Sequence, residues 1–514
     1  MFAPAATHNL LTRTAAPILG GAGVAIFSVV LLSGQSLLGV AFRVCAGLVL
    51  IPSIVAKERM AYWLGLFLLA LPFDISKTFM SGDRATALVE QVGGLWGPVA
   101  LNVHLIDLAL LPLLGVWLLG KFRSRERIWF PRISYVPVAC LCFITVTATV
   151  APSPYFAFLE LIKQWKYFVI YVFAADVLDA RRLRTVVLAI LIPTLVLQGG
   201  LTLARYRFQY FEPFFGETLG RISEAVSGEA TRSVTGESED SHKRGFGTFY
   251  HANPTAMHLE LLLPFALALA INSRKRLWRW LYGSVFVLGA AALYVTFCRA
   301  GMAAFLGSTL ACILVASLRG GIPRRVLVPL GSLILLAALC LVPAIAAYMR
   351  TRPTDTIYHM QHLHQGVLIA LRHPIFGVGL NNSSLVRPYL TPGGLTDEEA
   401  QLPIHSGHLL GLAETGVIGF GLYVGFFVLI GIEAFRQSKS RDVLTRTFAI
   451  GILGAYIAMG VHMTTDYLGV EAFFALLWMY AGVVVAQRRT EPLAGAEPAS
   501  RWAATRRAPL LAGL

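Results

Sequence analysis

The chain has 514 residues, 56% of them hydrophobic and 14% charged, with a mean hydropathy of +0.66 and a net charge of +15. A soluble domain carries about a quarter charged residues, and the strands of a membrane barrel alternate apolar and polar residues; neither describes this chain. The basic excess sits in short loops between apolar runs, as membrane topology requires, so no nucleic-acid partner is expected.

Arg13 precedes a long apolar run without a convincing cleavage site, so that run reads as a first anchor. Candidate spans follow at 15–33, 36–55, 60–73, 103–119, 134–151, 157–178, 184–204, 254–271, 280–297, 301–317, 326–347, 407–434, 446–462 and 470–487. Most are long enough for a hydrocarbon core of about 30 Å. Residues 60–73 and one member of a tight pair could be re-entrant, so the expected fold is an all-α polytopic membrane protein of 12–14 transmembrane helices. Short basic loops (Lys57–Arg59, Lys121–Arg127, Asp179–Arg184, Arg274–Arg279, Arg319–Arg325, Arg436–Arg441 and the tail from Arg488) then fall on one side. The positive-inside rule makes that side cytoplasmic, with both termini in it. The six cysteines lie in or beside apolar runs without a CxxC spacing, and read as buried packing thiols.

The expected organisation is 1–204 N-terminal transmembrane helices, 205–253 an outer loop, 254–347 central helices, 348–406 a large outer loop, 407–487 C-terminal helices, and 488–514 a disordered cytoplasmic tail. Both long outer loops exceed ordinary connections, which marks them as functional. Arg205, Arg207, Arg221, Arg232 and Arg244 lie in the first, Arg350, Arg352, Arg372 and Arg387 in the second. The first is about as acidic as basic, which equally fits a solvated loop with internal pairs. Residues 358–374 carry Met360, His364, Val367 and Leu371 at helical spacing. They predict an amphipathic helix at the outer membrane face, ended by Pro374 and followed by Gly377 and Gly379 as a loop.

Three stretches on the outer side could carry chemistry. In KRGFGTFYHANPTAMHLE (243–260), Pro254 reads as a first helical position that leaves a helix N-terminus facing an anion. In TFCRAGMAAF (296–305), Arg299 interrupts an apolar run and needs a partner or a wet cavity, unless it snorkels. In PIHSGHLLGLAETGVIGF (403–420), His405 and His408 stand at the mouth of a span with Glu414 inside it. The two histidines could be cap or packing residues; as a metal pair they lack a third ligand fixed by spacing. Glu414, nine residues after His405, is about half a turn out of phase, so a direct dyad is not expected; a pairing with an arginine or a cap on a neighbouring helix is. Arginines beside a histidine just outside the membrane fit a polyanion held next to a general base. A lipid-linked diphosphate is the anionic substrate at that depth.

With those residues in view, the chain resembles the O-antigen ligase and polymerase superfamily of bacterial envelope proteins, which includes pilin-type oligosaccharyltransferases. The resemblance is carried by HSGHLLGLAETGVIG (405–419), HPIFGVGLNN (373–382), FCRAG (297–301) and GTFYHANPTA (247–256). It implies a metal-independent glycosyltransferase of GT-C-like fold, without a cofactor, in the bacterial inner membrane with a periplasmic active site. Its donor would be an undecaprenyl-diphosphate-linked glycan, and its acceptor lipid A–core in a ligase. The family's essential histidine maps onto His405 and an arginine onto Arg299; Arg244, Arg352 and Arg350 are the diphosphate-binding set, with His408 and Glu414 in support. Ser406 replaces a frequent Asn, His408 replaces an aromatic residue, and the arginine often found before Pro-Ile-Phe-Gly has no counterpart. Polymerase and protein O-oligosaccharyltransferase are the alternative enzymes. A polyprenyl-lipid transporter is the alternative without chemistry, although no internal repeat is visible. A scaffold would have no need of the arginine-rich loops.

Overall fold

The computed structural model describes residues 58–73, 76–78, 102–208, 244–249, 251–318, 353–386, 404–467 and 469–490. The chain is an all-α polytopic membrane protein. Its described helices are α1 (Arg59–Ala70), α2 (Leu105–Ser124), α3 (Tyr135–Thr149), α4 (Pro154–Val177), α5 (Arg181–Arg207), α6 (Ala252–Asn272), α7 (Arg276–Val295), α8 (Arg299–Ser317), α9 (Pro353–Arg372), α10 (Ser383–Val386), α11 (Gly407–Gln437), α12 (Val443–His462) and α13 (Glu471–Thr490). A two-stranded antiparallel ribbon, β1 (Ser76–Thr78) with β2 (Asn102–His104), pairs Lys77 with Val103.

Among the described residues, eight helices are long and apolar enough to cross a membrane. Of the fourteen expected spans, 15–33, 36–55 and 326–347 lie outside the described residues, as do residues 491–514 of the expected tail; the first three residues of that tail instead end a helix, and a helix meets each of the other spans. The run 60–73 forms only the 12-residue α1, too short to span upright. Helices α4 and α13 are not among the eight: α4 carries Glu160, Lys163, Lys166 and Asp176 along its length, and α13 is polar at its ends, with Glu471, Gln487, Arg488 and Arg489.

Helix α6 is the hub. It is buried nearly all round and packs on α5, α7, α8, α12 and α13. Close approach to α12 depends on small residues: a Cβ at Gly454 would lie 2.5 Å from Cys312 Sγ and 2.7 Å from Pro264 Cβ. Helices pack through such positions in membranes because lipid gives apolar side chains no drive to leave it. Large apolar side chains such as Leu111, Val146, Trp280 and Val428 point out of the bundle accordingly. Cys140, Cys298 and Cys312 are buried as expected. Cys142 is not: it is exposed, two residues from Cys140 and on another face of α3. Cys45 and Cys340 lie outside the described residues.

The two ends of the bundle differ. At one end the basic loops gather. The Asp176 carboxylate accepts from Trp117 Nε1 at 2.8 Å, Lys121 Nζ at 3.0 Å and Trp129 N at 2.9 Å. Arg181 pairs with Asp442 at 2.7 Å, Arg489 with Asp179 at 3.4 Å, and Arg182 with Glu58. At the opposite end lie residues 244–249 and 251, the 296–298 turn, the 373–382 loop, residues 404–406 and residues 463–467 after α12. Gly245 N donates to Val295 O at 2.8 Å, Gly407 N to Asp466 O at 3.2 Å, and Ser153 N to Asn382 Oδ1 at 2.7 Å. The motifs singled out in the sequence share this second end.

Candidate active site

The first wall of the site is the GTFYHANPTA segment. Helix α6 starts at Ala252 rather than at Pro254: the His251 ring fills the cap, its Nδ1 accepting from Asn253 N at 3.2 Å. This corrects the expectation that the N-terminus is left open for an anion. Gly247 N donates to Thr255 Oγ1 at 3.1 Å, and Arg205 holds the segment from α5, donating to Gly247 O at 2.8 Å and lying 3.6 Å from the centre of the Phe246 ring. Arg205 is thus engaged in the loop's own structure.

Arg244 sits where this segment meets the turn before α8. Its Nε donates to Thr296 O at 2.8 Å and its Nη2 to Asn253 Oδ1 at 2.6 Å. Arg299 is the first residue of α8 and is exposed at that same turn. Phe297, with φ 52° in the left-handed region, turns the chain sharply into the helix. Arg350 and Arg352 lie outside the described residues.

His405 stands just before α11. Its ring meets that of the buried His362 edge-on, with centroids 5.0 Å apart. Asp466, in the connection after α12, lies close enough for the His405 charge to act on it. Asp466 Oδ2 accepts from Asn253 Nδ2 at 3.0 Å, and its Oδ1 accepts from Tyr467 N at 2.8 Å. Burial pushes the Asp466 carboxyl up, but His462, His405 and the Tyr467 amide outweigh it and hold the group below its ordinary 3.8. Asp466 O also accepts from Gly407 N at 3.2 Å, two residues after His405, so a line of polar groups runs from the His405 segment through Asp466 and Asn253 to Arg244. It joins two of the residues singled out in the sequence through two that were not singled out for this role.

His408 and Glu414 do other work. His408 Nε2 hydrogen-bonds Gly460 O at 2.8 Å, tying α11 to α12. Glu414 Oε1 accepts from Ser383 Oγ at 2.8 Å, at the start of α10. The carboxylate thereby clamps the loop of the HPIFGVGLNN motif, which docks on a break in α11. Val378 N donates to Ala413 O at 3.0 Å, Gly379 N to Glu414 O at 2.9 Å, and Val417 N to Pro374 O at 2.8 Å. The break falls at Gly416, with φ 63°. A Cβ there would lie 2.2 Å from Ile375 O, and one at Gly377 (φ 68°) 2.3 Å from the Glu414 carbonyl carbon. Both positions need glycine for backbone conformation and for contact.

Behind the first turn of α11 lies a cavity of about 440 Å³ between α3, α4, α11, α12 and α13. Its polar end carries His408, Glu160, Lys163, Gln164 and Asn381; its apolar end is built from residues such as Phe427, Val428, Leu453 and Ile457. Gly407 and His408 line it, whereas His405, Arg244 and Arg299 do not. Among the described residues that line it, no arginine occurs; Lys163 does, paired with Glu160 at 3.1 Å. Next to it Lys166 pairs with Asp107 at 3.0 Å and with Glu471, and Glu471 takes His104 Nε2 at 3.2 Å. No group of three or more metal-ligating side chains occurs among the described residues.

Residues 284–424 match the family model described as O-Antigen ligase. That segment runs from the middle of α7 into α11. It includes Arg299, His405 and Glu414, and ends before Asp466. None of the curated proteins matches the chain.

Proposed function

We propose that the chain, whose residues 284–424 match the family model described as O-Antigen ligase, is an O-antigen ligase. It moves O-polysaccharide from undecaprenyl diphosphate to lipid A–core at the bundle end opposite the basic loops. By the positive-inside rule that end is periplasmic, and the membrane is the bacterial inner membrane. The observation that carries this reading is that Asp466, joined through Asn253 to Arg244, also accepts at its carbonyl from Gly407 N, two residues after His405, so the histidine and the arginine share one framework.

In the proposed reaction His405 takes the proton of the acceptor sugar hydroxyl. The hydroxyl oxygen attacks the anomeric carbon, the bond from that carbon to the diphosphate oxygen breaks, and its electron pair leaves with undecaprenyl diphosphate. Attack from the opposite side inverts the anomeric centre. Asp466 stabilises the imidazolium formed on His405. Arg244 and Arg299, with Arg352 or Arg350, offset the charge on the departing diphosphate, a contribution worth about 3 kcal/mol for one well-placed donor. No metal or cofactor takes part in these steps. The apolar end of the cavity behind α11 suits the polyprenyl chain.

The test is transfer by purified protein given undecaprenyl-diphosphate-linked glycan and lipid A–core in the presence of chelator. Glycan-capped core supports the ligase. Longer lipid-linked chains without capped core indicate a polymerase, and glycan on an added pilin-like acceptor protein indicates an oligosaccharyltransferase. Donor moved across the bilayer without any transfer product would contradict an enzyme altogether.

A further inference from the structure

Behind Asp466 the polar line continues into the bundle. Glu260 of α6 and His462 of α12 are both almost wholly buried, 1% and 0% exposed, and both Glu260 carboxylate oxygens lie 3.0 Å from His462 Nδ1. The other ring nitrogen, Nε2, faces Asp466 Oδ2 at 3.9 Å. One imidazole thus lies between two carboxylates. Glu260 also reaches the start of α8: a Cβ at Gly301 would lie 2.7 Å from Glu260 Oε1, so the glycine of the FCRAG motif leaves room for this carboxylate. An isolated ion this deep is costly, and such groups persist in spans when paired and used.

We propose that Glu260 and His462 are positioning residues for the transfer reaction, holding an imidazolium behind Asp466 that keeps Asp466 from locking His405 in its protonated form. The proposal rests on the reading of His405 as the base. A base must be free of its proton before it can take one. Asp466 alone beside His405 would favour the charged, inactive imidazolium. A charged His462, facing Asp466 from the opposite side at 3.9 Å, offsets that pull, and Glu260, 3.0 Å from its Nδ1, is the counter-ion placed to hold that charge. The ionisable groups that face this line are Glu260 from α6, Cys298 from the turn before α8, Asp466 after α12, and His405, which itself meets His362 of α9. The same Asp466 bonds Asn253, and through it Arg244, so the pair stands behind the group that ties the α6 segment to Arg244.

The experiment uses the full chain in lipid nanodiscs, with kcat and donor KM followed against pH for Glu260→Gln, His462→Gln and the apolar double variant Glu260→Leu/His462→Leu. Each is expected to lower kcat at neutral pH by about tenfold with donor KM nearly unchanged, and to move the acid limb of the profile about one unit to higher pH. The double variant should lose no more than the worse single one, because the two residues act as a unit. It removes both charges together, so it keeps the test open should a single variant fold poorly. A wild-type acid limb in the folded variants would overturn the proposal, even if their melting temperatures fall. His405→Ala in the same assay separates the two ideas. Transfer retained by His405→Ala removes the base assignment itself, whereas transfer lost there but unshifted in the Glu260 and His462 variants removes only this inference.

Discussion

Single residues in this site are explained by what they touch. Gly377 and Gly416 carry positive φ angles where the 374–379 loop meets the break in α11, and each added Cβ would fall within 2.4 Å of backbone. Backbone atoms cannot move aside as a flexible side chain can. Gly416→Ala is therefore expected to destabilise the protein by about 3 kcal/mol or more, combining left-handed strain with a clash; a thermal melt in detergent with no change would contradict this. Glu414 is a clamp on Ser383, not a partner of His405. Glu414→Ala leaves the Ser383 donor without its acceptor, at a cost of about 1–3 kcal/mol. Glu414→Gln, which can still accept from Ser383, is expected to keep most of the stability and the transfer rate. Equal loss in both variants would instead assign the Glu414 charge a direct part in the chemistry.

The elements show what hydropathy can and cannot reveal. Runs such as 254–271 and 446–462 became α6 and α12 because an apolar stretch of span length has no other way to satisfy its backbone in lipid. His405, Arg299 and Glu414 were visible because each stands in a short recognisable motif. Asp466 and the Glu260–His462 pair were not, since the pair lies 202 residues apart in sequence and sequence gives no register between spans. A signal was present all the same: Glu260 is an acidic residue inside an apolar run, which by itself marks a site. Helix α9 turns its polar His362 and Gln365 inward, while Met360, Val367 and Leu371 are exposed. The expected apolar stripe therefore exists but faces away from the protein, as it would on a helix lying at a membrane surface. The connection after α12 is sensitive to acid through Asp466. Its carboxyl is held below the ordinary 3.8, so the stability it contributes is present above that value and lost as pH falls through the lower folded value. Melting of wild type against Asp466→Asn should show a wild-type advantage above the ordinary carboxylate range that shrinks as pH falls below it; an advantage independent of pH would contradict this assignment.

At the scale of the whole molecule the described basic loops share one end and the described motifs the other. The account places the motif end outside the cytoplasm. A lone cysteine at Thr464 should then react in intact spheroplasts with a membrane-impermeant maleimide, and one at Lys439 only after lysis; the reverse pattern would invert the topology. The long cavity behind α11 and the polar line in front of it stand on two sides of the first turn of α11, so a lipid chain and its diphosphate could reach the same helix mouth from within and from without. The central claim is that His405 is the base at this mouth. The most direct measurement compares wild type and His405→Ala in a reconstituted transfer assay with chelator, alongside donor binding. The account predicts capped lipid A–core from wild type, at least about a hundredfold less from His405→Ala, and unchanged donor binding. A wild-type rate from His405→Ala would contradict it.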